Sequence, residues 1–332
     1  MNLNLSKMIF LFLLIISSLL TLSSNNWLGM WMGLEINLMS FIPLISKSKN
    51  KNLSQAMMIY FLTQSIGSII LLFSILMMHL VSKSVIINEI MMTFMMISIM
   101  IKVGAAPFHL WMPMMMSSLP WFEASLLMTW QKLAPLYMMY NINWNIWIMY
   151  SAVMMSATIG AIGGLNQTSL RKILAYSSIN HLGWMMSFMT MSNYWYKYLI
   201  IYSTLIFMLC ILLSENNLYF LNQMNSNSSS LMNKYLFIIL LLSIGGLPPF
   251  LGFLPKWMVI LNMIESQLYM LIIYMLLMSL ITLFYYLRMV SYMILFYSTM
   301  NTWMNYKNMN KLILYLIYMI NCLLPIFSIM YF

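Results

Sequence analysis

Aspartate is absent from this chain of 332 residues, and only five glutamates stand against fifteen lysines and arginines. Charged residues make up 6% of the sequence, where a soluble domain carries about 25%. That scarcity excludes a soluble core with an unusual patch. Cysteine occurs twice, as Cys210 and Cys322, each inside an apolar run. Two isolated thiols exclude a metal cluster built on cysteine spacing and read as small packing or lipid-facing side chains. There is no Gly-rich nucleotide loop, and the three histidines offer no axial-ligand pair, so no redox cofactor is expected in this chain. The formal charge of +10 is spread over short loops, with no basic domain to hold a nucleic acid.

What fills the space is apolar, at 63% of residues. Eleven runs reach the length needed to cross a bilayer: about 5–24, 26–45, 53–79, 86–112, 123–141, 145–164, 172–191, 197–214, 235–263, 267–290 and 312–331. The separators are short and rich in Asn, Ser and Lys, such as SKSKNKN at 46–52 and NQMNSNSSSLMNK at 222–234. A closed barrel would alternate apolar and polar residues, whereas these runs are continuous. The expectation is an all-α polytopic membrane protein of about 11 transmembrane helices, one membrane domain over 1–332. The first run has one lysine before it but no small-residue cleavage site, so it reads as a membrane helix and not as a targeting segment. The 43 methionines fit an AT-rich, organelle-encoded gene in which AUA is read as Met.

Alternating the loops across a membrane tests this topology. One side receives Lys7, Lys47, Lys49, Lys51, Arg171, Lys172, Lys234, Arg288, Lys307 and Lys311, and the other only Lys83 and Lys197. Ten against two is a strong positive-inside bias and puts the N-terminus inside. Three basic residues remain, Lys102, Lys132 and Lys256, all within runs, as is Glu35. Glu89, Glu123, Glu215 and Glu265 fall at span edges and read as solvated or headgroup-level carboxylates.

A charge at the bilayer centre costs about 2.5–3.5 kcal/mol even on the lenient insertion scale. Internal salt bridges are one use for such groups, but one carboxylate cannot neutralise three ammoniums. The alternative is a relay, since desolvation favours a neutral amine and a nearby carboxylate favours a charged one. Glycine and proline gather beside two of these lysines, in KVGAAPFHLWMP (102–113) and GGLPPFLGFLPKW (245–257). Irregular backbone at membrane depth is tolerated only where protein or a watery cavity surrounds it. Paired interrupted spans point to repeats. The fourth and ninth spans of the order above would belong to inverted repeats over about 5–141 and 145–290, with a helix at 312–331 appended. His181, in ILAYSSINHLGWMMS, is either a relay member or a packing histidine. His109 lies in the first break, and His79 reads as interfacial.

The blocks GAAPFHLWMP, LLMTWQKLAPLYMMY, LRKILAYSSINHLGWMM and LLSIGGLPPFLGFLPKW, with MGLEINLMSFIP upstream, resemble the subunit 2 family of mitochondrial NADH:ubiquinone oxidoreductase, respiratory complex I. That family is similar to one subunit of multisubunit cation/proton antiporters. The resemblance implies that Glu35 matches the family's carboxylate, Lys102 its broken-helix lysine, Lys132 the central-axis lysine and Lys256 the lysine of the second broken helix. It also implies eleven helices, because animal members lack three N-terminal helices of the bacterial fold. It implies partners among the other membrane-arm subunits of complex I, with NAD, FMN, Fe–S clusters and ubiquinone held by those partner subunits. A bilayer containing cardiolipin is the expected surrounding. The expected location is the mitochondrial inner membrane, N-terminus on the matrix side and C-terminus on the intermembrane-space side.

Three functions remain open at this point. The chain is a proton-translocating subunit of a redox-driven pump, a free-standing cation/proton antiporter subunit, or a scaffold of the membrane arm. An antiporter needs an oxygen-rich cation site, and Glu35 is the lone intramembrane carboxylate, which disfavours the second. As a pump, the chain would load Lys102 and Lys132 from the inside and release through Lys256, with Glu35 setting the charge on Lys102.

Overall fold

A computed structural model of the chain describes residues 5–46, 51–80, 85–142, 145–226, 231–295, 318, 319 and 321. Among them the order is α1 (Leu5–Ser23), α2 (Trp27–Ile45), α3 (Lys51–Leu80), α4 (Val85–Val103), α5 (Trp111–Met116), α6 (Trp121–Met128) and α7 (Trp130–Asn141). It continues with α8 (Ile146–Leu165), α9 (Leu170–Met191), α10 (Trp195–Glu215), α11 (Gln223–Ser226), α12 (Leu231–Gly245), α13 (Phe253–Glu265) and α14 (Tyr269–Leu295). No strand occurs among the described residues. Seven of the helices are long and apolar enough to cross a membrane. The protein is an all-α polytopic membrane protein. The expected run 312–331 lies almost wholly outside the described residues.

The helices form because their backbones have no water to bond with in the bilayer and must pair internally. Their outer faces carry side chains such as Phe12, Ile69, Trp147 and Leu280, all exposed, as lipid contact demands. Two compact units result, one of Met1–Leu119 with Trp130–Ala152, the other of Pro120–Thr129 with Val153–Phe332. In the first, α1 packs on α2, and α3 on α4 and α2. In the second, α10 packs on α6, α9 and α12, and α13 on α9 and α14. Close approach of α8 and α9 depends on missing side chains. A Cβ at Gly160 would lie 2.6 Å from the Asn180 nitrogen, and one at Gly183 would lie 2.7 Å from Ser156 Oγ. Small residues of this kind let membrane helices meet backbone to backbone. Arg288 of α14 donates to the carbonyls of Leu165, the last residue of α8, and Gln167 just beyond it, since a cation is favoured at a helix C-terminus.

Both expected breaks are present, at 104–110 and 246–252. They are built alike. Gly104 has φ +76° and Gly246 φ +81°, the left-handed region that a side chain disfavours. Gly104 N–H donates to the Ile101 carbonyl and Ala105 N–H to the Met100 carbonyl; Gly246 and Leu247 do the same to Ser243 and Leu242. Each half-helix therefore ends in a Schellman motif. The sequences agree in the same spacing: Gly104, Pro107, Phe108, Trp111 and Pro113 answer to Gly246, Pro249, Phe250, Phe253 and Pro255.

A third interruption was not expected. The run 123–141 is divided at Thr129, where α6 ends and α7 begins. Thr129 Oγ1 turns back to the Ser125 carbonyl at 2.7 Å, a bond that bends helices. Pro135, inside α7, lacks the N–H that would have reached the carbonyl four residues back and crowds that turn.

Replacing Gly246 by Ala should cost about 1–2 kcal/mol from the left-handed backbone alone. It should cost more besides, because the new Cβ would lie 2.7 Å from Lys256 Nζ. The expected outcome is a lowered midpoint for thermal unfolding of the chain, with Gly245→Ala, which meets nothing closer than 3.6 Å, as the milder control.

Candidate functional site

The first unit holds Glu35, Lys102 and Lys132. Lys102 is the penultimate residue of α4, where the negative end of the half-helix favours a cation. It is only 5% exposed, and its Nζ lies 3.9 Å from Glu35 Oε1 on α2. That is an ion pair at the edge of contact and beyond hydrogen-bond reach. Neither of these two atoms has a hydrogen-bond partner among the described residues. Three of the carbonyls freed by the break have donors. Met100 and Ile101 close the Schellman motif, Ile101 accepts from Trp111 Nε1 as well, at 3.1 Å, and Lys102 accepts from Gln64 Nε2 at 3.0 Å.

Lys132 lies on α7 and is 2% exposed. Its helix packs on α4, α1 and α2. The residue before it, Gln131, donates from Nε2 to Asn37 Oδ1 at 2.8 Å, and Tyr60 donates to Gln131 Oε1 at 3.4 Å. The structure thus joins the helix of Glu35 to the helix of Lys132 through an amide pair one or two residues from each charge.

The second unit holds His181 and Lys256. Lys256 is the fourth residue of α13, near a helix N-terminus, where the dipole opposes a cation. Its side chain avoids that end. It reaches back across the break and donates from Nζ to the Gly245 carbonyl at 2.7 Å, the negative end of α12, with the Trp184 ring centroid 6.0 Å away. A short N⁺–H···O bond of this kind is charge-assisted. Lys256 is 5% exposed and faces the protein interior. His181, on α9, is 6% exposed. Its Nδ1 is hydrogen-bonded to the Tyr198 hydroxyl at 2.8 Å, and its ring lies 4.8 Å from that of Tyr202. A small cavity lined by His181, Tyr198, Tyr202, Ser243, Gly252 and Pro255 has room for about one water molecule. His181 therefore faces the second break.

One expectation is corrected. Glu123 is not a solvated edge carboxylate; it is 1% exposed, in the first turn of α6. The early end of α6 places it inside the packing, and the positive helix N-terminus favours a carboxylate there. Glu89, Glu215 and Glu265 are exposed, as expected of span edges. Lys7 and Lys234, assigned to loops on the basic side, are buried within this chain as well. His109 is bonded to its own turn, Nδ1 lying 3.1 Å from the Pro107 carbonyl. Sequence reasoning passed over the neutral members of the site, Asn37, Tyr60, Gln64, Gln131 and Tyr198. Two of them carried a signal, for Asn37 follows Glu35 by two positions and Gln131 directly precedes Lys132. In a bilayer a buried amide, like a charge, needs a partner, though an unpaired charge costs far more.

Among the described residues no three His, Cys, Asp or Glu gather as a metal site would require. The arrangement offers buried, titratable amines beside helix breaks, each with a polar neighbour that can stabilise one protonation state over the other. It is suited to holding and passing protons.

Comparison with known proteins agrees with this picture. Residues 24–282 match the family described as NADH:quinone oxidoreductase/Mrp antiporter, transmembrane. The chain is 45% identical to NADH-ubiquinone oxidoreductase chain 2 of Locusta migratoria, covering 93% of this chain and 92% of that one. It is 47% identical to the same-named protein of Anopheles gambiae over 80% of this chain and 79% of that one. A chain in the structure of respiratory complex I from Thermus thermophilus with bound aureothin superposes with a TM-score of 0.84 at 19% identity, over 95% of this chain and 75% of that chain. That last likeness is one of fold. On the strength of the matching sequence, the chain belongs to the NADH-ubiquinone oxidoreductase chain 2 family.

Proposed function

We propose that the chain is the proton-translocating, antiporter-like subunit of a mitochondrial complex I, and that Glu35, Lys102, Lys132 and Lys256 carry its protons, with His181 as a further relay member. The observation that supports this reading best is the Lys102–Glu35 pair, its lysine buried at a helix break and its carboxylate half-buried 3.9 Å away. A separation of that length suits a bridging water and a proton that can leave. Protons are taken up on the matrix side, pass Lys102 and Lys132, and are released beyond Lys256 and His181. The chain itself catalyses no redox step. NAD, FMN, Fe–S clusters and ubiquinone belong to partner subunits, and moving each charge against the membrane potential costs about 2.3 kcal/mol per 100 mV, supplied by those partners. The remaining assignments are the inner membrane with the N-terminus on the matrix side, neighbours among the other membrane-arm subunits, cardiolipin at the lipid face, and inverted repeats over about 5–141 and 145–290.

Reconstituted complex measured for proton transfer per NADH oxidised tests the pair. Glu35→Gln should lower the ratio several-fold, and Lys102→Met added to it should lower it by less than about twofold more, since residues acting as one unit are not additive. Fully multiplicative losses would show two independent roles.

Lys132 can be examined by charge retention. Arginine keeps a positive charge at nearly every pH and cannot release its proton, so Lys132→Arg should assemble yet lose about tenfold or more of proton transfer. Full transfer with arginine would mark Lys132 as a fixed structural charge.

A further inference from the structure

The two breaks differ in one respect. Each leaves a carbonyl at the end of its first half-helix that must find a donor, because a buried polar group without a partner is costly. In the second break the lysine ammonium itself fills that need, Lys256 Nζ on the Gly245 carbonyl. In the first break it is the Lys102 carbonyl, one residue earlier in the turn than the position that answers to Gly245, that takes its donor from another helix. Gln64 Nε2 of α3 holds it at 3.0 Å, and Gln64 is buried at 6% exposure. The Lys102 ammonium is thereby left to Glu35.

The surroundings of Gln64 on α3 serve the same end. Gly67 follows by three residues, so it lies on the same helix face. A Cβ there would come within 3.0 Å of Lys102 Cγ and 3.2 Å of the Ser98 carbonyl; its absence is the slot through which the lysine side chain runs. Tyr60 precedes Gln64 by four residues, on the same face, and bonds Gln131, the neighbour of Lys132. One face of an α3 whose buried residues include no charge thus touches the backbone of Lys102, its side chain and the residue next to Lys132.

We infer that Gln64 is a positioning residue for proton transfer, holding the Lys102 carbonyl so that the Lys102 ammonium stands against Glu35, with Gly67 keeping the side-chain slot open. The inference rests on the relay role proposed for Lys102. It also separates from that role in experiment, because Gln64 carries no exchangeable charge and acts only through Lys102.

The test uses the assembled complex in vesicles, read as protons moved per NADH oxidised. Gln64→Leu keeps the bulk and removes the donor; it should lower the ratio about tenfold, the weight of one buried hydrogen bond left unmade. A merely structural loss would add in full to Glu35→Gln. A positioning loss is already contained in it, so Gln64→Leu with Glu35→Gln should fall within about twofold of Glu35→Gln alone. Gly67→Ala presses on the Lys102 side chain instead of freeing its carbonyl and should behave likewise; it decides by the same criterion if Gln64→Leu fails to assemble. An unchanged ratio in the assembled Gln64 variant, or losses that multiply with Glu35→Gln, overturns the inference and leaves the relay standing. If Glu35→Gln and Lys102→Met both leave the ratio intact, the relay itself fails, and this inference with it.

Discussion

A backbone carbonyl inside a bilayer has no water to accept from, and much of this structure follows from that fact. A continuous helix answers it residue by residue. Where the chain breaks, the carbonyls of the last turn are released together, and each must be claimed by a group from elsewhere. At the first break the claimants are the turn's own N–H groups, the Trp111 indole and the Gln64 amide. At the second they are the turn's N–H groups and the Lys256 ammonium. Each break is thus a polar centre enclosed by apolar helices, and it is there that lysines are found.

The likeness of the two breaks makes their difference informative. Aligned on Gly104 and Gly246, the segments share two prolines, a phenylalanine and an aromatic that opens the second half-helix. Their lysines occupy different positions, Lys102 two residues before its glycine and Lys256 ten residues after. Both nonetheless bring the amine toward the carboxyl end of the first half-helix, one by position and the other by reaching back. The favourable end of the half-helix dipole is thus used twice by different routes. Sequence position alone had put Lys256 at the unfavourable end; the length of a lysine side chain, and a glycine with no Cβ in its way, reverse that assignment.

The parts of this architecture legible in sequence were those written in composition and in strong local signals. Continuous apolar runs gave the helices, and Gly–Pro clusters gave the start of both breaks to within a residue or two, while running three and five residues past their ends. Lysine and glutamate within runs pointed to the pair at 3.9 Å, because opposite charges in a low dielectric find each other. Illegible parts depended on contacts between distant segments. Nothing local distinguishes Gln64, which matters only because α3 lies against the end of α4. The division at Thr129 combines a weak proline signal with a hydroxyl that bends back on its own helix, and neither alone ends a membrane span. Glu123 sits at the edge of an apolar run, and proximity to an edge does not show whether the surroundings are headgroups or protein.

The partners of the lysines set what each can do when its proton leaves. Lys102 faces a carboxylate. If its proton departs, Glu35 is left as a half-buried, unneutralised anion, and stranding a charge away from water is unfavourable. Loss of the proton at Lys102 therefore has to be accompanied by a change at Glu35, through its own protonation or a new partner. Lys256 faces a carbonyl, a dipole that carries no net charge. If its proton departs, no counter-charge is stranded, and the neutral amine still has an N–H to offer the Gly245 oxygen, though a weaker one. The first break couples two charges and transmits what happens to one of them to the other. The second holds a single charge that can be gained or lost with its hydrogen bond still in place. The chain can hold both behaviours because it meets the first lysine with a carboxylate and the second with backbone alone.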